Sequence, residues 1–189
     1  KGLSSHDSSL KQLAIQILGQ LKAKKAIPAL LQELVKADLN SLPVLLQTLG
    51  EIADPQILPA LDPFKNHENE NIRCLVIWAL SQTAHVDVFP YLLECLQDPS
   101  LAVQQAGIKG MGCIESPEVI PLLLELIPQQ KDELLLKTLA EEFIQRPHNS
   151  EFVKVVLVLL NHDINKQEVF CLLRLNLEFS FYNKRDGYL

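Results

Sequence analysis

The stretch "DPSLAVQQAGIKGMGCIESPEVIPLLLEL", residues 98–126, decides how this chain is read. It turns at Asp98-Pro99 and runs through an apolar segment holding Gly107, Gly110 and Gly112. It turns again at Ser116-Pro117 and enters a second apolar segment through Pro121. Each glycine costs a helix about 1 kcal/mol relative to alanine, so a cluster of them needs a reason. Self-comparison supplies one. The segments "AIPALLQEL", "ILPALDPF", "VFPYLLECL" and "VIPLLLELI" place Pro28, Pro59, Pro90 and Pro121 at steps of 31 residues. The same step joins Gly19, Gly50, Ser81 and Gly112, preceded by Leu18, Leu49, Leu80 and Met111. Two columns holding one spacing through four units define a repeat protein.

Inside each unit the apolar residues follow a helical period. The first helix is expected to bury Leu10, Ala14, Ile17, Leu18 and Leu21, echoed by Ile72, Val76, Ala79 and Leu80, then by Val103, Gly107, Gly110 and Met111. The second helix is expected to bury Ile27, Leu30, Leu31 and Leu34, matched by Phe89, Leu92, Leu93 and Leu96 and by Ile120, Leu123, Leu124 and Ile127. Asp62 and Lys65 break that column, so the second helix of the second unit should be short or kinked near Pro59 and Pro63. Asp54-Pro55 and Ser116-Pro117 pair a capping side chain with a proline, which suits a helix start. The further proline four residues on predicts a tight bend or a 3₁₀ turn before the second helix proper. Gly107 and Gly110 stand where the previous unit has Val76 and Ala79, and should let a neighbouring helix approach closely.

The fifth unit slips by one residue, with the extra residue placed in "PQQKD", 128–132. Phe152, Val155, Val156 and Leu159 then fall on the second-helix column, and a last helix is expected over about 166–177. The expectation is an all-α right-handed superhelix, a HEAT-like solenoid of about five 31-residue helix-turn-helix repeats plus a C-terminal capping helix. It occupies residues 1–177, with a tail or linker over 178–189.

Bulk properties bound the function. Apolar residues make up 48% of the 189, enough for a continuous core, and the net charge of −6 argues against a nucleic-acid surface. No apolar run approaches the ~18 residues of a membrane span. The four cysteines, Cys74, Cys95, Cys113 and Cys171, show no metal-like spacing and read as free thiols in a reducing, cytoplasmic setting. The chain starts at Lys1 without a methionine or signal peptide, as expected of part of a larger chain.

The unit running from Asp98-Pro99 through Val103, Ala106, Met111-Gly112, Ile114 and Ser116-Pro117-Glu118 to Ile120-Pro121 and Leu123-Leu124 resembles the short HEAT repeat of the phycobilisome-lyase type. Arg73 matches the basic residue of that repeat, with Lys11 and Gln104 as weaker versions, and the resemblance spans roughly residues 7–163. It implies a right-handed α-solenoid whose second helices line a concave face. Deoxyhypusine hydroxylase, a member with two irons, holds them with His-Glu pairs inside first helices. Here the equivalent position is Cys74, and the one such pair, His67-Glu68, falls in the preceding loop. A phycobilin lyase-like or chromophore-handling subunit remains the alternative function. HEAT-like DNA glycosylases need a basic groove, whereas these second helices carry acids.

The glycines lie in helices and not at a strand-to-helix turn, so they form no phosphate loop. His6, His67, His85, His148 and His162 fall near predicted helix ends, which suits capping or exposed turns better than metal ligation. The expectation is therefore a non-catalytic interaction scaffold with no cofactor and no metal. Read by column, the outward second-helix positions carry Tyr91 and Leu122 beside Glu94 and Glu125, with Asp87 and Glu118 at the helix starts. An aromatic and aliphatic centre with an acidic rim suits a protein partner offering a basic segment. An ordinary solvated helix face is the other reading. Trp78, in a column otherwise filled by Gln16, Gln47 and Lys109, is either a contact site or packed on an adjacent first helix.

Overall fold

Where proline, apolar period and caps agree, helices form in the expected order. The computed structural model describes residues 8–114 and 132–144, and the chain divides into two compact units, 1–114 and 115–189. In the first unit the first helices are α1 (Ser8–Gln20), α3 (Ser41–Ile52), α5 (Glu70–Gln82) and α7 (Leu101–Gly112). The second helices are α2 (Ile27–Val35), α4 (Leu58–Leu61) and α6 (Phe89–Cys95). Successive first helices pack on one another, and α2, α4 and α6 pack on α3, α5 and α7 in turn. Every element among the described residues is helical, the architecture of an α-solenoid. The expectations for Glu118, Pro121, Leu122 and Glu125, for 152–159, for the helix at 166–177 and for the tail lie outside the described residues.

Each second helix is entered through a 3₁₀ turn, at Lys24–Ala26, Pro55–Ile57 and Val86–Val88, again at steps of 31. The proline that follows sits in the first turn of α2, α4 and α6, where its missing N–H costs nothing. Asp54 caps its turn, its Oδ1 accepting from the Gln56 amide at 3.1 Å. The second unit behaves as its sequence requires. α4 lasts four residues and gives way to a 3₁₀ turn over Asp62–Phe64, where Pro63 interrupts the hydrogen-bond ladder.

The core lies between the two layers. Ile27, Leu30, Leu34, Ile72, Val76, Leu80, Leu92, Val103 and Met111 are buried as expected. Leu31, Phe89 and Leu93 are only half-buried. α1 corrects the reading: Leu10, Ile17 and Leu21 are exposed, and Ile15 is the buried side chain. The physical reason is the direction of stacking. The counterparts of Ile17 (Thr48, Ala79 and Gly110) pack on a preceding first helix, and among the described residues α1 has none before it. Ile15 belongs to a column, with Leu46, Ile77 and Ile108, that is buried in all four units.

The glycines mark where first helices cross. A Cβ on Gly50 would stand 2.9 Å from the Cα of Ala79 and 2.9 Å from Cε3 of Trp78. A Cβ on Gly19 would stand 3.2 Å from the Cα of Thr48. At the next crossing the roles reverse: Ser81 takes the glycine column, and Gly110 faces it, with 3.2 Å between the Ser81 Cβ and a Cβ placed on Gly110. Gly107 opens the way for α6, since a Cβ there would lie 2.9 Å from the Cβ of Cys95.

The first helices end with Lys22, Ala53 and Ala84 at φ of 48°, 55° and 49°. These are left-handed positions on the 31-residue step, held without glycine. At Ala53 the amide closes the helix onto the Leu49 carbonyl at 3.2 Å.

One ion pair ties a first helix to the loop leading out of its own unit. The Arg73 guanidinium grips Asp98 through two bonds, Nε to Oδ2 and Nη2 to Oδ1, both 2.8 Å. Its Nη1 donates to the carbonyls of His67 and Glu68. Asp98 also accepts from the Ser100 amide at 2.8 Å, and Gln104 donates to its carbonyl at 2.6 Å. Burial alone would raise the Asp98 pKa, but the Arg73 bonds, the Ser100 amide and the Arg73 charge outweigh it and hold the carboxyl below its ordinary 3.8.

In the second unit, α8 (Glu133–Ile144) is capped by Asp132, whose Oδ1 accepts from the Leu134 and Leu135 amides. Leu135 is buried and Leu134 exposed. Thr138 and Leu139 are also buried, at strict 31-residue steps from buried Gly107 and Ile108, so the described part of α8 does not mark the extra residue expected in 128–132, most of which lies outside the described residues.

Two glycine substitutions three residues apart should act in opposite directions. Gly50→Ala should destabilise by about 1–2 kcal/mol in urea unfolding despite the better helix propensity, because backbone must move. Ala53→Gly should stabilise by about 0.5–1 kcal/mol by relieving the left-handed alanine. A stabilising Gly50→Ala would refute the close crossing. Arg73→Ala should cost on the order of 3 kcal/mol by stranding a half-buried carboxylate. Because the folded Asp98 pKa is depressed, its contribution is complete above pH 3.8 and is lost as pH falls through the lower folded value. The stability gap between wild type and Asp98→Asn should therefore close in acid, which an unfolding series from pH 7 to pH 2.5 would show.

Candidate functional site

Within the first unit, the second-helix layer carries the expected residues Tyr91, Glu94 and Asp87. The 3₁₀ turn at Val86–Val88 and Pro90 set the entry of α6, and its register turns Leu92 into the core. Tyr91 is left half-buried and Glu94 exposed on the outer side. The structure adds a partner that column reading did not assign. Lys65 follows the 3₁₀ turn of the broken second helix, and its Nζ donates to Glu94 Oε2 at 2.8 Å. The same ammonium lies 3.3 Å from Asp62 Oδ1 and 5.2 Å from the Tyr91 ring centroid. Cation–π attraction and two carboxylates thus converge on one charge. The Glu94 hydrogen bond leads in raising the Lys65 pKa, with burial opposing and Asp62 assisting.

The other expected residues are placed differently. Asp87 is exposed at the start of the same segment, its Oδ2 3.4 Å from His85 Nδ1. That His85 nitrogen accepts from the Asp87 amide at 3.3 Å, and His67 Nδ1 accepts from the Asn69 amide at 3.1 Å. Both histidines cap turns, as their positions near helix ends predict. Trp78 belongs to α5 in the first-helix layer and is 36% exposed, with its ring over Gly50 of α3. It packs on an adjacent first helix and does not join Tyr91 and Glu94, which lie in the second-helix layer. Glu118, Leu122 and Glu125 lie outside the described residues.

Sequence reading noted Lys65 only as a break in an apolar column. Its signal was there: Leu34 and Leu96, one step either side, are core residues, and a lysine in such a place must find a way out. Burial disfavours the thiolate form of the cysteines near the face. Cys95 donates to the Tyr91 carbonyl at 3.0 Å. Burial, with the Asp98 and Glu94 charges adding, pushes its pKa up to about 12. Burial also raises that of Cys74. Neither offers a thiolate nucleophile near neutral pH. No group of three potential metal ligands occurs among the described residues, and no described helix is long and apolar enough to cross a membrane.

Comparison with known proteins places this geometry. The chain is similar in fold to a designed armadillo repeat protein, YIII(Dq.V1)4CPAF, solved in complex with the peptide (KR)4. The TM-score is 0.59 at 18% identity, covering 95% of this chain and 96% of that one. It is similar to the complex of CpcE and CpcF of phycocyanin lyase from Nostoc sp. PCC7120, with TM-score 0.51 at 20% identity over 94% of this chain and 79% of that one. An engineered protein gives TM-score 0.52 at 19% identity, with 94% and 92% covered. These likenesses are of fold. No curated protein matches the chain. A family model of HEAT repeats matches residues 42–100 and 62–144, more than half of the chain. The 31-residue helical pairs, their small-residue crossings and this match together show that the chain belongs to the HEAT-repeat family.

Proposed function

We propose that this HEAT array is a non-catalytic interaction scaffold that captures a basic segment of a protein partner on its second-helix face, which we read as the concave one. The seating of an ammonium between Tyr91 and Glu94 carries the reading: the face already satisfies a lysine charge with a ring and two carboxylates. The same chemistry would accept lysine or arginine from a partner. Asp87 would stand on the rim of this strip, while Leu122, Glu125 and Glu118, expected in the same set, lie outside the described residues. The likeness to a designed repeat protein solved with (KR)4 supports the choice of a basic ligand. The free thiols Cys74 and Cys95 favour a reducing, cytoplasmic setting. Ile17 of α1 is exposed on the face by which later first helices pack on a preceding one, and Leu21 just beyond α1 is exposed too, which favours membership of a larger chain or assembly.

The test is fluorescence anisotropy with a labelled octapeptide of alternating lysine and arginine. Wild type should bind it, with affinity falling as salt rises, and should ignore a neutral peptide of equal length. Tyr91→Ala with Glu94→Lys should keep the thermal unfolding profile and lose at least tenfold in affinity. Unchanged binding by that double variant would remove the face assignment.

A further inference from the structure

Lys65 stands where the flanking repeats have core leucines, Leu34 at 3% exposure and Leu96 at 8%. An unpaired ammonium in that column would be costly, and the chain avoids it by ending the helix early. α4 stops at Leu61, the Asp62–Phe64 turn redirects the backbone, and the Lys65 amide closes the turn onto the Asp62 carbonyl at 3.3 Å. From there the side chain reaches the ridge of the following repeat and sits against Tyr91 and Glu94. The break in the second repeat and the filling of the Tyr91–Glu94 seat are one structural event.

We propose that Lys65 is an internal placeholder: it occupies the cation seat of the second-helix face and is displaced when a basic side chain of a partner binds there. The proposal rests on the reading of that face as a site for basic segments, and deepens it by naming the competitor. The seat suits exchange. Glu94 keeps 63% of its side chain exposed and Asp62 48%, so both carboxylates stay accessible while Lys65 is bound. Exposed ion pairs contribute little net free energy, so a multivalent basic segment can outcompete a single tethered lysine. While seated, Lys65 lies over the Tyr91 ring and offsets one of the two carboxylate charges, which weakens the pull of the face on weak or monovalent cations. The device raises the threshold for binding without closing the site.

The experiment compares wild type with Lys65→Met, which keeps the length of the side chain and suits an apolar column. The probe is the lysine–arginine octapeptide. Lys65→Met should bind it about three- to tenfold more tightly, the gain expected when a weak internal competitor is removed. In wild type, the Lys65 side-chain ammonium signal in nitrogen-detected NMR should move toward the solvent value as peptide is added. Lys65→Gln serves as the second variant should the methionine chain unfold, with the same direction expected. If wild type binds the peptide and both variants bind it equally or more weakly, Lys65 positions the site and the placeholder idea is overturned, while the reading of the face survives. Binding by Lys65→Met alone would show complete occlusion and support the proposal. Absence of binding by every chain would overturn both.

Discussion

The close crossing of successive first helices is the constraint on which the rest of this fold depends. Helix backbones approach this near only where side chains are nearly absent, and the chain provides such a place once every 31 residues. Gly19 meets Thr48, Gly50 meets Ala79, and Ser81 meets Gly110. The pairs share a small total volume, so the third crossing can move its glycine from one helix to the other without widening the gap. Close-packed interiors tolerate little change in volume, which makes the crossing the unit that is kept, and not the residue. The Thr48 hydroxyl, directed to the Ile15 carbonyl at 3.4 Å, adds a polar tie at the first of them.

With the first-helix layer held in this way, the second helices have more freedom, and the chain uses it. α2 runs for nine residues, α6 for seven and α4 for only four. The shortened α4 releases Lys65 from a core column onto the ridge, where it meets Tyr91 and Glu94. A packing irregularity and a candidate binding feature therefore share one origin in Asp62 and Pro63. Arg73, on α5 of the following repeat, holds the loop around His67 and Glu68 and the Asp98 loop with one guanidinium. The face beside α6 is thus built on a braced segment, which favours a site that keeps its shape when a partner arrives.

The expected site was partly legible. Tyr91 and Glu94 are outward on α6 because helical period alone places them there once Leu92 is in the core. Trp78 could not be assigned by the same means. Its column is polar in the other units, and only the position of Gly50 on the neighbouring helix shows that the ring has a surface to lie on. The acidic character of the face was also read without its counter-charge. The lysine that meets Glu94 lies 29 residues earlier, and nothing in its local sequence indicates that direction.

By itself the sequence determined the repeat length, the helix pairs, the 3₁₀ turns that precede each column proline and the broken second helix of the second repeat. These follow from local sterics and from periodicity, which act over a few residues and can be read without a fold. The tertiary structure alone decided that Lys22, Ala53 and Ala84 take left-handed backbone, that Ile17 and Leu21 face outward, that Arg73 pairs with Asp98, and that Lys65 seats on Tyr91. Each of these depends on where one turn of the solenoid brings another loop or helix, a distance that composition and period do not encode. Charge pairing across 25 or more residues is specified by stacking, and stacking is specified by the small-residue crossings.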